Sequence, residues 1–190
     1  MIFLKLLKLE NRQKQEIKDM QTTTSVKLYS LEYKDIKTWL FAMAFVVGNI
    51  VLPQMFHLVP KGGLTWLPIY FFTLVGAYKY GWRVGLLTAV FSPLINSALF
   101  GMPPVAALPA IVMKGVLLAV AASVAASRYK KASLPLHAGV VLAYQVVGTL
   151  GEWALCGSLV AAMQDFRIGV PGMLLQVIGG WAVINFAIRK

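Results

Sequence analysis

The sequence predicts an all-α integral membrane protein, a bundle of six transmembrane helices with both termini in the cytoplasm. Three observations carry this. Hydrophobic residues make up 58% of the 190 and charged residues only 13%, against roughly 25% charged in ordinary soluble domains. Mean hydropathy is +0.71, and the apolar residues fall in long uncharged runs of the kind that cross a bilayer. The basic residues gather in alternate connections. Disorder, a coiled coil and a typical soluble enzyme are excluded. The net charge of +11 would point to nucleic acid on a soluble protein. On a membrane protein its placement matters more, and no nucleic-acid partner is expected.

A spanning helix needs roughly 20 mostly apolar residues. Six runs qualify in order: residues 39–58, 64–78, 84–100, 105–127, 136–163 and 170–188. The second and third are short. Pro53 and Pro68 are sites for a kink or an early end. The fifth is long enough to tilt or protrude. The connections are brief and leave no room for a soluble domain. No internal repeat is evident, so the inverted-repeat plan of many larger transporters has no support.

The stretch before Trp39 carries eight Lys/Arg, and Lys79, Arg83, Arg128, Lys130, Lys131, Arg189 and Lys190 follow in the second and fourth connections and at the C-terminus. Those segments hold 15 of the 18 positive charges. Lys61 and Arg167 are on the other side, and Lys114 is within a span. The positive-inside rule puts both termini in the cytoplasm. The chain thus divides into a basic N-terminal segment, 1–38, and a membrane domain, 39–190. The opening run 2–9 is interrupted by Lys5 and Lys8, so it is neither a signal-peptide core nor a span. It reads as a basic amphipathic helix on the inner leaflet, as a disordered tail, or as sequence preceding a true start at Met20.

No catalytic or metal motif is present. The chain lacks G-x-x-x-x-G-K-[ST], G-x-G-x-x-G and H-E-x-x-H, so no P-loop ATP hydrolysis is expected. His57 and His137 fall on opposite sides of the membrane and cannot share a metal. His57 reads as an interfacial, solvated side chain near the outer surface. The single cysteine, Cys156, reads as a small buried hydrophobe. No cofactor is expected.

Two ionisable groups lie well inside predicted spans, Lys114 and Glu152. A charge in mid-bilayer costs roughly 2.5–3.5 kcal/mol on insertion scales, so each needs a partner or a polar cavity. Lys114 is nine residues from the start of its span and Glu152 eleven from the end of its own. At about 1.5 Å per residue both fall near the midplane of consecutive antiparallel spans. An ion pair is geometrically reasonable. It either pins two helices or floors a polar cavity. Asn96, Ser97, Gln176, Asn49, Trp66 and Tyr70 are further polar or aromatic candidates in the membrane, with Trp66 reading first as an interfacial lipid anchor. Trp153, beside Glu152, is placed to stack on a flat ligand. Ala44 and Gly48 form a small-xxx-small pair for close helix approach. The 100–104 connection, FGMPP, makes a rigid uncharged lid element, and Gly62-Gly63 a flexible counterpart.

Six spans, cytoplasmic ends, the stretch GWRVGLLTAVFSPLIN at 81–96 and the FGMPP turn after it resemble the substrate-binding S subunits of energy-coupling factor transporters. The resemblance covers roughly 39–190. It implies a bacterial inner-membrane protein that binds a vitamin, its precursor or a similar micronutrient on the outer side. It implies association with a membrane coupling subunit (T) and two cytoplasmic ATPases, whose hydrolysis topples the loaded bundle. Ala44 and Gly48 resemble the family's Ala-x-x-x-Ala contact for the coupling subunit, with glycine replacing the second alanine. The implied ligand pocket is built from outer loops and outer helix ends, gated by the first outer loop. Lys61, Asn96, Lys114, Glu152, Trp153 and Gln176 are the expected substrate-binding residues. Glu152 suits a nitrogen heterocycle and Lys114 a carboxylate. The alternative is a small integral-membrane enzyme or accessory protein in lipid or cell-wall processing.

Overall fold

The computed structural model describes residues 28–188. The opening run 2–9, Met20 and the final Arg189 and Lys190 lie outside them. The described chain is helical, without a strand. Among the described residues five helices are long and apolar enough to cross a membrane, which makes this a multi-pass membrane protein: Ile36–Phe56, Trp82–Phe100, Val105–Tyr129, Leu134–Cys156 and Val170–Ala187.

Helix α1 (Ile36–Phe56) follows Asp35 and contains Pro53. Proline has no N–H, so it leaves the carbonyl of residue i−4 without its helical donor. That carbonyl belongs to Asn49, and the Asn96 side chain donates to it at 2.8 Å. The break is thus turned into an interhelical bond.

The second predicted span, 64–78, is not one helix. Gly62–Trp66 forms the short α2. Leu67 then takes a left-handed backbone (φ 45°, ψ 44°), and a 3-10 turn at Pro68–Tyr70 follows. Proline disfavours a right-handed helical backbone in the residue before it, which sets the break at Leu67. Helix α3 (Phe71–Tyr80) has only ten residues, nine of them buried, and is about 15 Å long. It is the central element, enclosed by α1, α4 (Trp82–Phe100), α5 (Leu108–Tyr129) and α9 (Val170–Ala187). Gly81 alone joins α3 to α4, at φ 100°, a conformation open to glycine.

The fifth predicted span also ends early. Helix α6 (Leu134–Cys156) stops at Gly157 in the left-handed conformation, the usual helix terminator. The short α7 (Leu159–Ala162) and α8 (Gln164–Ile168) then carry the chain to α9. Cys156 is consequently exposed and not a buried hydrophobe. Helix α9 contains π-helical turns at Leu175–Gly179 and Val183–Ala187.

The exterior is apolar and much of the interior polar. Met43, Val47, Val120, Val124, Val146, Leu150 and Phe186 are exposed, while Thr38, Asn49, Thr73, Thr88, Ser92, Gln145 and Gln176 are buried. In lipid, exposed aliphatic groups cost nothing, and buried amides and hydroxyls join helices. Asn49 is the main junction. Its Nδ2 donates to Thr73 Oγ1 at 3.1 Å and Ser92 Oγ at 3.2 Å. Its Oδ1 accepts the Phe72 N–H at 3.0 Å, a donor in the first turn of α3 with no intrahelical partner.

Both described ends lie at one end of the bundle. Tyr29 N–H donates to the Lys79 carbonyl and Leu31 N–H to that of Tyr80. Asn185 reaches the Ala132 carbonyl there. Lys79, read as a loop charge, is fully buried in α3 and faces the Tyr29 ring at 5.5 Å. His137 is also at this end, buried, and stacked on Tyr78 at 4.5 Å.

The opposite end depends on one close approach. A Cβ on Gly172 would lie 2.4 Å from the Trp66 backbone carbonyl, so α9 rests directly on the α2 main chain. Gly172→Ala is expected to lower stability by about 1–3 kcal/mol through overpacking, read as a lower thermal midpoint. Gly139→Ala is the control. It lies within α6, and among the described residues a Cβ there meets nothing within 4 Å. Removing a mid-helix glycine should stabilise by roughly 0.5–1 kcal/mol.

Candidate ligand-binding cavity

A cavity of about 500 Å³ opens at this second end, within the usual range for small-molecule sites. Its walls come from the connections that the broken second segment and the shortened α6 create. Pro53 and His57 at the end of α1, Lys61 to Leu64, and Leu67 to Tyr70 form one side. Met102, Pro103 and Pro104 form another, and Ala110, Ile111 and Lys114 descend along α5. Glu152, Gln164 and Asp165 complete it.

Its charged floor is a triad. Lys114 Nζ lies 2.5 Å from Glu152 Oε2 and 2.8 Å from Asp165 Oδ2. The side chains are 4%, 26% and 12% exposed respectively. The expected Lys114–Glu152 pair therefore forms, but not by equal depth at the midplane. Glu152 is four residues from the end of α6 at Cys156, about 6 Å in. Lys114 starts deeper and its flexible stem carries the ammonium up to the carboxylates. The stem runs over Gly148, where a Cβ would stand 2.6 Å from Lys114 Cγ. Gly148 and Glu152 are four apart and share a helix face, so the glycine clears the route to the acid.

Asp165 was not among the expected site residues. The sequence holds one usable signal: only two acids follow residue 35, Glu152 and Asp165. Both end on the one lysine read as lying inside a span. Asp165 lies between the fifth and sixth apolar runs, and helix periodicity says nothing about where such a short connection folds back.

Lys61 lines the cavity from the first connection, exposed at its mouth. His57, also exposed, lines it too. Asn96 lines it, yet its amide donates to Asn49 and its Oδ1 accepts from Gln54 at 3.4 Å. Asn96 thus joins helices first. Trp153 is not part of the wall and is 45% exposed. One residue turns the helix by about 100°, which takes it off the Glu152 face. Gln176 is fully buried on α9 and accepts from Tyr144 OH at 2.9 Å, outside the cavity lining. The Tyr144 ring packs tilted against Tyr70 at 5.6 Å, and Tyr70 does line the cavity. Gln176 therefore supports the wall from behind.

The small-residue pair of α1 also divides. A Cβ on Gly48 would lie 2.7 Å from the Phe72 ring, so Gly48 serves packing on α3. Ala44 faces outward. Among the described residues no group of three or more His, Cys, Asp or Glu is arranged to hold a metal ion. Comparison with known proteins finds no matching family model, characterised protein or solved structure.

Proposed function

We propose that this chain is the substrate-binding membrane subunit of an uptake system of the energy-coupling factor type, capturing a vitamin or similar micronutrient. The observation that carries the reading is the cavity of about 500 Å³ floored by Lys114, Glu152 and Asp165. A site of drug-like size with few convergent polar groups is built to bind a small molecule. In this reading the segment from Gly62 to Tyr80 is the second of six crossings. The basic surface bearing Arg83, Arg128, Lys130 and Lys131 faces the cytoplasm, so the cavity opens outward in a bacterial inner membrane. The outward face of α1 around Ala44 meets the coupling subunit, and partner ATPases supply the energy.

The test is a thermal-stability screen of the purified full chain in mild detergent against a panel of vitamins and precursors. One compound is expected to raise the midpoint strongly, since a ligand at a thousandfold over its Kd adds roughly 4 kcal/mol. A folded protein indifferent to the whole panel, and that copurifies with no ATPase, would overturn the reading.

A further inference from the structure

We infer that the cavity selects an organic cation, whose protonated nitrogen donates to Glu152 and Asp165. This rests on the binding reading above and narrows its substrate class.

The floor holds one ammonium and two carboxylates, a formal sum of −1. Lys114 engages a single oxygen of each acid, Glu152 Oε2 and Asp165 Oδ2. The second oxygens, Glu152 Oε1 and Asp165 Oδ1, accept no hydrogen bond among the described residues. Both residues line the cavity. A carboxylate beyond those a lysine can neutralise is costly in a low-dielectric site, and a ligand of opposite charge removes that cost.

An anion meets the reverse situation. To reach Lys114 it must share an ammonium that already holds two carboxylates, at 2.5 and 2.8 Å, which leaves one of three N–H donors, and it then faces both acids. The sequence alone made Lys114 a plausible anion receptor; the second acid cancels that role. The other cation of the lining, Lys61, is exposed at the mouth, where water and salt weaken its field at the floor. Arg167, two residues from Asp165, is likewise exposed. A second, independent feature favours a cation. Tyr70 lines the same cavity and is only 4% exposed, and a buried aromatic ring beside a ligand site favours positive charge over negative.

The test uses the full chain in lipid nanodiscs, dialysed against an equimolar mixture of cations (thiamine, agmatine), neutral compounds (riboflavin, nicotinamide) and anions (biotin, pantothenate). Bound compounds are read by mass spectrometry. A retained cation is expected. Glu152→Gln and Asp165→Asn should each weaken it by about tenfold or more, the worth of one charge-assisted contact. Each variant leaves Lys114 one carboxylate, and its thermal midpoint without ligand checks that it folds. Retention of a neutral or anionic compound overturns the charge assignment and leaves the binding reading standing. If nothing is retained, thermal midpoints with benzylammonium chloride and with sodium benzoate decide. Stabilisation by the ammonium alone, absent in Glu152→Gln, supports a cation-selective site while counting against a micronutrient carrier. No difference between the two salts overturns both.

Discussion

Lys114→Met should destabilise the protein by about 3–5 kcal/mol, the usual cost of removing one partner from a buried ion pair. Methionine keeps most of the stem volume, so the loss isolates charge. Glu152 and Asp165, both bonded to the same ammonium, would then face each other without it. The partial exposure of Glu152, 26%, lets water relieve part of the repulsion and places the effect toward the lower end. The measurement is the thermal midpoint in detergent. The decisive comparison is the triple variant with Glu152→Gln and Asp165→Asn. Neutralising both acids should restore most of the lost stability, because the penalty comes from uncompensated charge rather than from packing. A Lys114→Met protein as stable as the parent would show that the triad contributes nothing to the fold.

Asn49→Leu should lower stability by about 2–4 kcal/mol. Three bonds from one amide are lost, to Thr73, Ser92 and the Phe72 N–H. Interhelical hydrogen bonds in membranes average roughly 0.6 kcal/mol each and reach about 1.7. To these is added the cost of stranding the Phe72 N–H at the buried start of α3. Since α3 starts beside the cavity wall at Tyr70, ligand affinity should fall together with the midpoint. Gln54→Ala serves as control. It removes only the 3.4 Å contact to Asn96 and should stay within about 0.5 kcal/mol of the parent. Equal losses in the two variants would mean that Asn49 is not the junction of α1, α3 and α4.

Much of the membrane architecture was legible in the residues themselves. The apolar runs at 39–58, 84–100, 105–127 and 170–188 match helices with ends shifted by a few residues. The second and fifth runs show where hydropathy is blind. It registers that Leu64 to Tyr78 is apolar, but not that Leu67 turns left-handed before Pro68. It runs through Gly157, although a glycine there ends α6. That shift moved Glu152 from mid-helix to the last turns of α6, where it joins the floor of a cavity. Trp153 was misplaced for a simpler reason, since neighbours in a helix point about 100° apart and do not share a face.

The sequence by itself determined the solvent of this protein, the number of long apolar helices within one, and the presence of a lysine that needs a partner. These follow from composition and from patterns a few residues wide, which add along the chain. Only the tertiary structure decided which groups meet. Asp165 reaches Lys114 across 51 residues of sequence, and Asn49 caps a helix that begins 22 residues later. Such contacts depend on where two breaks in helical backbone redirect the chain and on glycines that let helices touch. The cavity and its charge come from that packing, because neither a pattern of period 3.6 nor a count of charges records which side chains share a space.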